Sequence, residues 1–120
     1  MNDKEYRIIL PLTLDGVYKY GDISDVAMCN EDNSKILIIT GYDFDKMNID
    51  DICLDLYKKY KFLIGDGDYY FLDYNDCLIL KNYLVDNINI KEQLSLELYD
   101  SLISFCDEAI KRKTGLGFDF

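Results

Sequence analysis

Histidine, closely spaced cysteines, paired carboxylates and glycine-rich phosphate loops do most of the chemistry in proteins, and histidine is missing here altogether. Its absence removes the commonest general base, most nucleophilic triads and most zinc sites together. The four cysteines stand at positions 29, 53, 77 and 106 with no C-x-x-C, so neither a zinc ribbon nor a dithiol redox motif is present. Each has an apolar neighbour (Met28, Leu54, Leu78, Phe105), the setting in which a thiol acts as a small hydrophobe. All four are expected buried and reduced.

Carboxylates are what the chain has in quantity. Eighteen of the 23 acids are Asp, and residues 41–80 hold nine acids against four bases. Asp43, Asp45, Asp50, Asp51 and Asp55 fall close together with Lys46 as the one base among them, and Asp66, Asp68, Asp73 and Asp76 follow. A calcium loop needs oxygens at positions 1, 3 and 5, glycine at 6 and an acid at 12. Counted from Asp66, position 5 is Tyr70, 6 is Phe71 and 12 is Cys77; counted from Asp43, position 5 is Met47 and 12 is Leu54. Neither fits. Gly65-Asp66-Gly67 and Gly115-Leu116-Gly117 lack the third glycine and the strand-then-helix setting of a dinucleotide loop, and no phosphate-binding G-x-x-x-x-G-K-[ST] occurs. No metal and no cofactor are expected, and the chain reads as a binding protein rather than an enzyme.

Two features remain to be used. The net charge is -10, which argues against direct contact with nucleic acid or an anionic membrane. Eleven tyrosines accompany it, with Tyr60, Tyr69, Tyr70 and Tyr74 in the same stretch as the aspartates. Tyrosine offers stiff contact area with a polar tip and is common at interface hot spots. A plainer reading is a solvated acidic surface with tyrosines filling strands. The functional reading is a face for a basic protein partner, made of Asp43, Asp45, Asp50, Asp51 and Asp55, then Asp66, Asp68, Tyr69, Tyr70 and Asp73.

The elements that would position these residues follow from periodicity. At 120 residues the chain is expected to be one α+β domain, a mainly antiparallel sheet with helices packed on one face. Alternation from Tyr6 to Leu14 predicts a strand that is an edge or ends at Pro11, and Asp15-Gly16 predicts a hairpin into residues 17–20. A second hairpin is expected from 26–29 into 35–39, whose Ile/Leu run suggests a central strand. Ile49, Ile52, Cys53, Leu56, Tyr57 and Tyr60 form one helical stripe over 48–60, opened by Asn48. Residues 62–64 and 69–72 flank Gly65–Asp68 as another hairpin. Asp73 or Asn75 caps a helix carrying Cys77, Leu80, Leu84 and Ile88, although 77–81 also suits a strand. The longest helix is expected from 89 or 90 to about 113, with Leu94, Leu98, Leu102, Phe105 and Ala109 in one stripe. Gly115 ends it, leaving 116–120 as a tail. The polar N-terminus and apolar runs of four residues at most predict a cytoplasmic protein without a membrane span.

This character along the chain (short, acidic, α+β, without catalytic furniture) resembles the bacterial immunity proteins of contact-dependent inhibition and other polymorphic toxin systems. The resemblance implies inhibition by binding: the chain would occlude the active site of a cognate toxin, such as a nuclease whose Lys and Arg meet phosphates. An acidic adaptor or chaperone, a nucleic-acid mimic and a small His-free enzyme are the competing classes.

Overall fold

In the computed structural model the described residues are 2–21, 23–87 and 93–120, with side chains described from Leu96 onward in the last segment. The fold is α+β. Four antiparallel strands form the main sheet, β1 (Glu5–Pro11), β4 (Ser34–Thr40), β5 (Tyr69–Asp73) and β6 (Gly115–Asp119), in the order β4-β1-β6-β5. A separate two-stranded sheet pairs β2 (Tyr18–Tyr20) with β3 (Ile23–Asp25) around Gly21. The helices are α1 (Gly41–Lys46), α2 (Ile49–Tyr60), α3 (Tyr74–Asn87) and α4 (Gln93–Arg112).

The pleat sends Tyr6, Ile8 and Leu10 to one side of β1, and the register places Ile39, Phe118 and Leu37 beside them. Leu72 and Leu116 pair on the same side. Against this face pack Phe44 of α1, Ile49, Cys53 and Leu56 of α2, Leu80 and Leu84 of α3, and Tyr99, Cys106 and Ala109 of α4. Tyr6 stacks on Phe44 with centroids 3.8 Å apart, and Phe120 meets both rings edge-on. Ile52 and Leu102 are half-buried against this core.

Residues 24–27, at and after the end of β3, lie on the opposite face. Val26, fully buried, lies where a side chain on Gly117 would otherwise stand. Arg7 donates to Asp119 Oδ2 (2.5 Å) and to the Ala27 carbonyl (3.0 Å), linking β1, β6 and this layer.

Several expectations are corrected. The 115–120 segment is a buried central strand, not a tail: Leu116, Phe118 and Phe120 point into the core, while Gly115 and Gly117 keep the other face thin. The Ile/Leu strand β4 is an edge: among the described residues it pairs with β1 alone, and β1 and β6 hold the two central positions. The turn at Asp15-Gly16 forms, with Val17 N–H donating to the Leu14 carbonyl, but it leads into β2, whose partner is β3 and not β1. Residues 26–29 and 62–64 are not strands. A six-residue helix, α1, went unforeseen; Thr40 Oγ1 accepts from the Asp43 amide to start it. Residues 74–87 are helical, opened by Asp73, whose carboxylate accepts from the Asp76 amide at 2.8 Å. Ile88 and the start of the last helix at 89 or 90 lie outside the described residues, as does the side chain of Leu94.

A candidate acidic groove for a protein partner

The site builds from α2 and the chain reversal behind it. Asn48, expected to cap α2, stands at its N-cap in a left-handed conformation (φ 52°) without a side-chain cap. Its carbonyl accepts from the Asp51 amide, and Asp50 and Asp51 occupy the first turn. Carboxylates there complement the helix dipole while facing water. Lys61, also left-handed (φ 62°), donates its amide to the Tyr57 carbonyl and turns the chain back along α2. The next three residues alternate: Phe62 and Ile64 enter the core, and Leu63 points out, 57% exposed. A tight turn closes the segment, with Asp68 N–H donating to the Gly65 carbonyl and Gly67 at φ 85°.

Between α2 and this returning segment runs a groove of about 290 Å³. Leu54, Tyr57 and Leu63 supply its exposed apolar surface, Cys53 its floor, and Asp50 and Asp68 its rim. Burial, and next the Asp50 carboxylate, push the Cys53 thiol up to about 12, so it stays protonated and unreactive. Among the described residues no cation lies within ion-pair distance of Asp50, Asp51 or Asp68. Their charge faces solvent uncompensated.

The other candidate residues are dispersed. Asp55 accepts from the Tyr83 hydroxyl at 2.8 Å and pairs with Lys59, and that hydrogen bond chiefly holds its carboxyl below the usual range. Asp66 is held low in the same way by Lys4, 2.6 Å away. Both charges are therefore answered within the chain. Asp43 lines a shallow cleft beside β4 with Leu37, Glu97 and Leu98, while Asp45 accepts from Asn2. Tyr70 and Asp73 line a different cleft of about 440 Å³ together with Lys19, Tyr74, Asp76 and Lys113. Burial raises the pKa of Asp76 there, and the Asp73 carboxylate adds to it. Tyr69 is an internal clamp: its hydroxyl donates to the Ser24 carbonyl (2.5 Å) and accepts from the Val26 amide (2.9 Å).

The structure thus brings Asp50 and Asp68 to one groove, with Asp51 exposed in the same turn of α2, and leaves the remainder of the expected face apart. Sequence reasoning missed Leu54, Tyr57 and Leu63. Tyr57 and Tyr60 were expected in the buried stripe of α2, yet they stay 42% and 37% exposed. Leu54 was legible as the apolar residue off that stripe.

The four cysteines are free thiols; three are buried, and Cys29 is only half-buried in a cleft of about 490 Å³ with Thr13, Asp15, Tyr18 and Met28. Among the described residues no three acids or cysteines converge closely enough to hold a metal ion. None of the described helices is long and apolar enough to cross a membrane. No protein-family model, curated protein or solved structure matches the chain.

Proposed function

We propose that the chain is a non-enzymatic binding protein that captures a basic protein partner in the groove between α2 and residues 62–68, and that it acts as an immunity protein neutralising a toxin. The observation that carries this reading is the pairing of exposed Leu54, Tyr57 and Leu63 with unanswered carboxylates at Asp50 and Asp68 in one groove, Asp51 adding its charge from the same helix turn. Apolar contact slows release, while the charge speeds encounter with a Lys/Arg-rich surface. A toxin that handles phosphates has such a surface where its substrate sits. Covering it with carboxylates blocks the substrate without any reaction. The net charge of -10 supports the same direction of steering over a longer range. On this reading the protein works in the cytoplasm, where such a toxin would act.

The test is a comparison of captured partners. Tagged wild type and a variant carrying Asp50→Lys, Asp51→Lys and Asp68→Lys are used to draw partners from the native host, and each retained protein is purified and measured directly. A basic partner should bind the wild type, lose about 1–3 kcal/mol or more of affinity toward the variant, and lose its own activity when bound. Raising salt should slow association far more than it speeds dissociation. Equal affinity for the two proteins, with equal salt dependence, sinks the groove. A partner whose activity is untouched by binding leaves the groove standing and sinks the inhibitor role.

A further inference from the structure

The main sheet has two outer strands, and they are guarded differently. β5 has Asp68 just before it and Asp73 at its end, and its Tyr69 hydroxyl is tied to the layer formed by residues 24–26. The other outer strand, β4, pairs with β1 alone among the described residues, in unbroken register from Ser34 to Thr40. Natural sheet edges avoid pairing by shortness, bulges, proline, inward charges or a covering loop. β4 is seven residues long, holds no proline, and has no charge from Ile36 to Ile39. Ile38 is 50% exposed and Ile36 half-buried, both on the face turned from the helices, since they oppose Arg7 and Ile9 in the register.

We propose that the free edge of β4 pairs antiparallel with the same edge of a second copy, about a two-fold axis through Leu37, joining two four-stranded sheets into one of eight. The strand is its own complement in that register. Leu37 faces Leu37, Ile36 faces Ile38, Ser34 faces Thr40, and Lys35, already paired with Glu108 on α4, faces Ile39. Ile36, Leu37 and Ile38 meet apolar partners, and no like charges oppose each other across the ladder. Residues 33–42 contain no acid, so no carboxylate stands in the ladder itself, and nearby Glu108 is answered by Lys35. Asp43 and Glu97 border the cleft beside Leu37, Ile38 and Ile39 and are the charges that salt must screen. An isologous contact of this kind closes on itself, so it makes a dimer and not a fibre.

The repulsion between two bodies of net charge -10 opposes this contact, and salt screens it. Salt therefore tightens this contact, opposite to its effect on a basic partner in the groove. Sedimentation equilibrium of the full chain between about 10 μM and 1 mM should show the mass rising from 14.1 kDa toward twice that value. Moving from about 0.05 M to 0.5 M salt should tighten the dimer several-fold. Ile38→Lys should weaken it at least about tenfold, whereas Tyr20→Lys, an equally drastic change at a residue 76% exposed on β2, should leave it unaltered. Hydrogen exchange on the unaltered protein gives a readout free of any folding defect: amides of Ser34–Thr40 should gain protection as concentration rises. A monomer throughout that range, with β4 exchange independent of concentration, overturns the proposal and assigns the edge to a strand of another protein. So does a dimer indifferent to Ile38→Lys, one disrupted by Tyr20→Lys, or an open-ended polymer.

Discussion

The two faces of the main sheet are closed by different means. The helix face is closed by mass: rings and aliphatic chains from all four helices meet side chains of all four strands in one continuous cluster. The opposite face is closed by a few specific fits. Val26 sits over Gly117, the Tyr69 hydroxyl bridges Ser24 and Val26, and Arg7 spans Asp119 and the Ala27 carbonyl. Closure by mass tolerates small losses at any one place, because many contacts share the load. Closure by fit concentrates its stability in single atoms, and it leaves Met28, Tyr18 and Tyr20 largely exposed.

The sharpest break in that contrast lies at the strand the two faces share. A Cβ on Gly115 would run into the Leu72 carbonyl and the Phe71 ring, and the carbonyl belongs to the adjoining strand and cannot turn aside. Gly115→Ala should cost about 3 kcal/mol or more in chemical denaturation, with both faces lost together. A cost below about 1 kcal/mol would show that β5 can shift, and that the shared strand is looser than its burial implies.

Tyr69→Phe separates the faces. It removes a single oxygen, strands the Val26 amide and the Ser24 carbonyl, and should cost about 1–3 kcal/mol. Exchange should quicken at residues 18–29 while α2 and α4 keep their protection. The same hydroxyl has a pH signature. Burial raises the Tyr69 phenol to about 12, so the native state holds its proton where the unfolded chain, near 10, has lost it. That stabilisation is complete below pH 10 and disappears as pH rises through 12. Stability of the wild type should therefore fall more steeply between pH 10 and 12 than that of Tyr69→Phe, by up to one proton's worth of slope. Equal slopes would mean that the phenol is not sequestered.

The same contrast explains what could be read from the sequence. Closure by mass leaves a periodic trace, and so α2 and most of α4 were visible as apolar stripes, while 74–87 read as a helix capped by Asp73 or Asn75 with 77–81 also suiting a strand. Closure by fit leaves only isolated residues. Leu116, Phe118 and Phe120 alternate perfectly, but with glycines between them the segment lacks the β-branched bulk that marks a strand, and it reads as a tail. Glycine is there because Val26 and the neighbouring backbone occupy the space, which no local pattern encodes. Pro11 allowed either an edge strand or a strand end, and it is the end: β1 is central and stops at Pro11, which opposes Ser34 at the margin of the ladder. For the site, charge density located Asp50, Asp51 and Asp68 but could not separate them from Asp55 and Asp66, whose partners Tyr83 and Lys4 come from distant parts of the chain. Tyr69 was invisible as a clamp for the same reason.

Asp73 divides cap from interface. As the acceptor that starts α3 it should cost about 1 kcal/mol of stability when changed to Ala. It lines the cleft with Tyr70 and not the α2 groove, so affinity for a basic partner should not change beyond one charge's worth of long-range attraction. A large loss of affinity without a loss of stability would move the interface to that second cleft.

The smallest expected effect is at Lys61, and it has the opposite sign. Its left-handed φ of 62° strains a side-chain-bearing residue, and its ammonium lies 5.1 Å from the Tyr57 ring centroid, at the margin of the acidic groove. Lys61→Gly relieves the strain and should stabilise the protein by about 0.5–1 kcal/mol, less whatever the cation–π contact contributes. It also removes a positive charge that a basic partner must approach, so association should quicken several-fold at low salt and return to the wild-type rate at high salt. Stability gained without any change in association would place the partner's charges away from Tyr57, at the Asp50 and Asp68 rim alone.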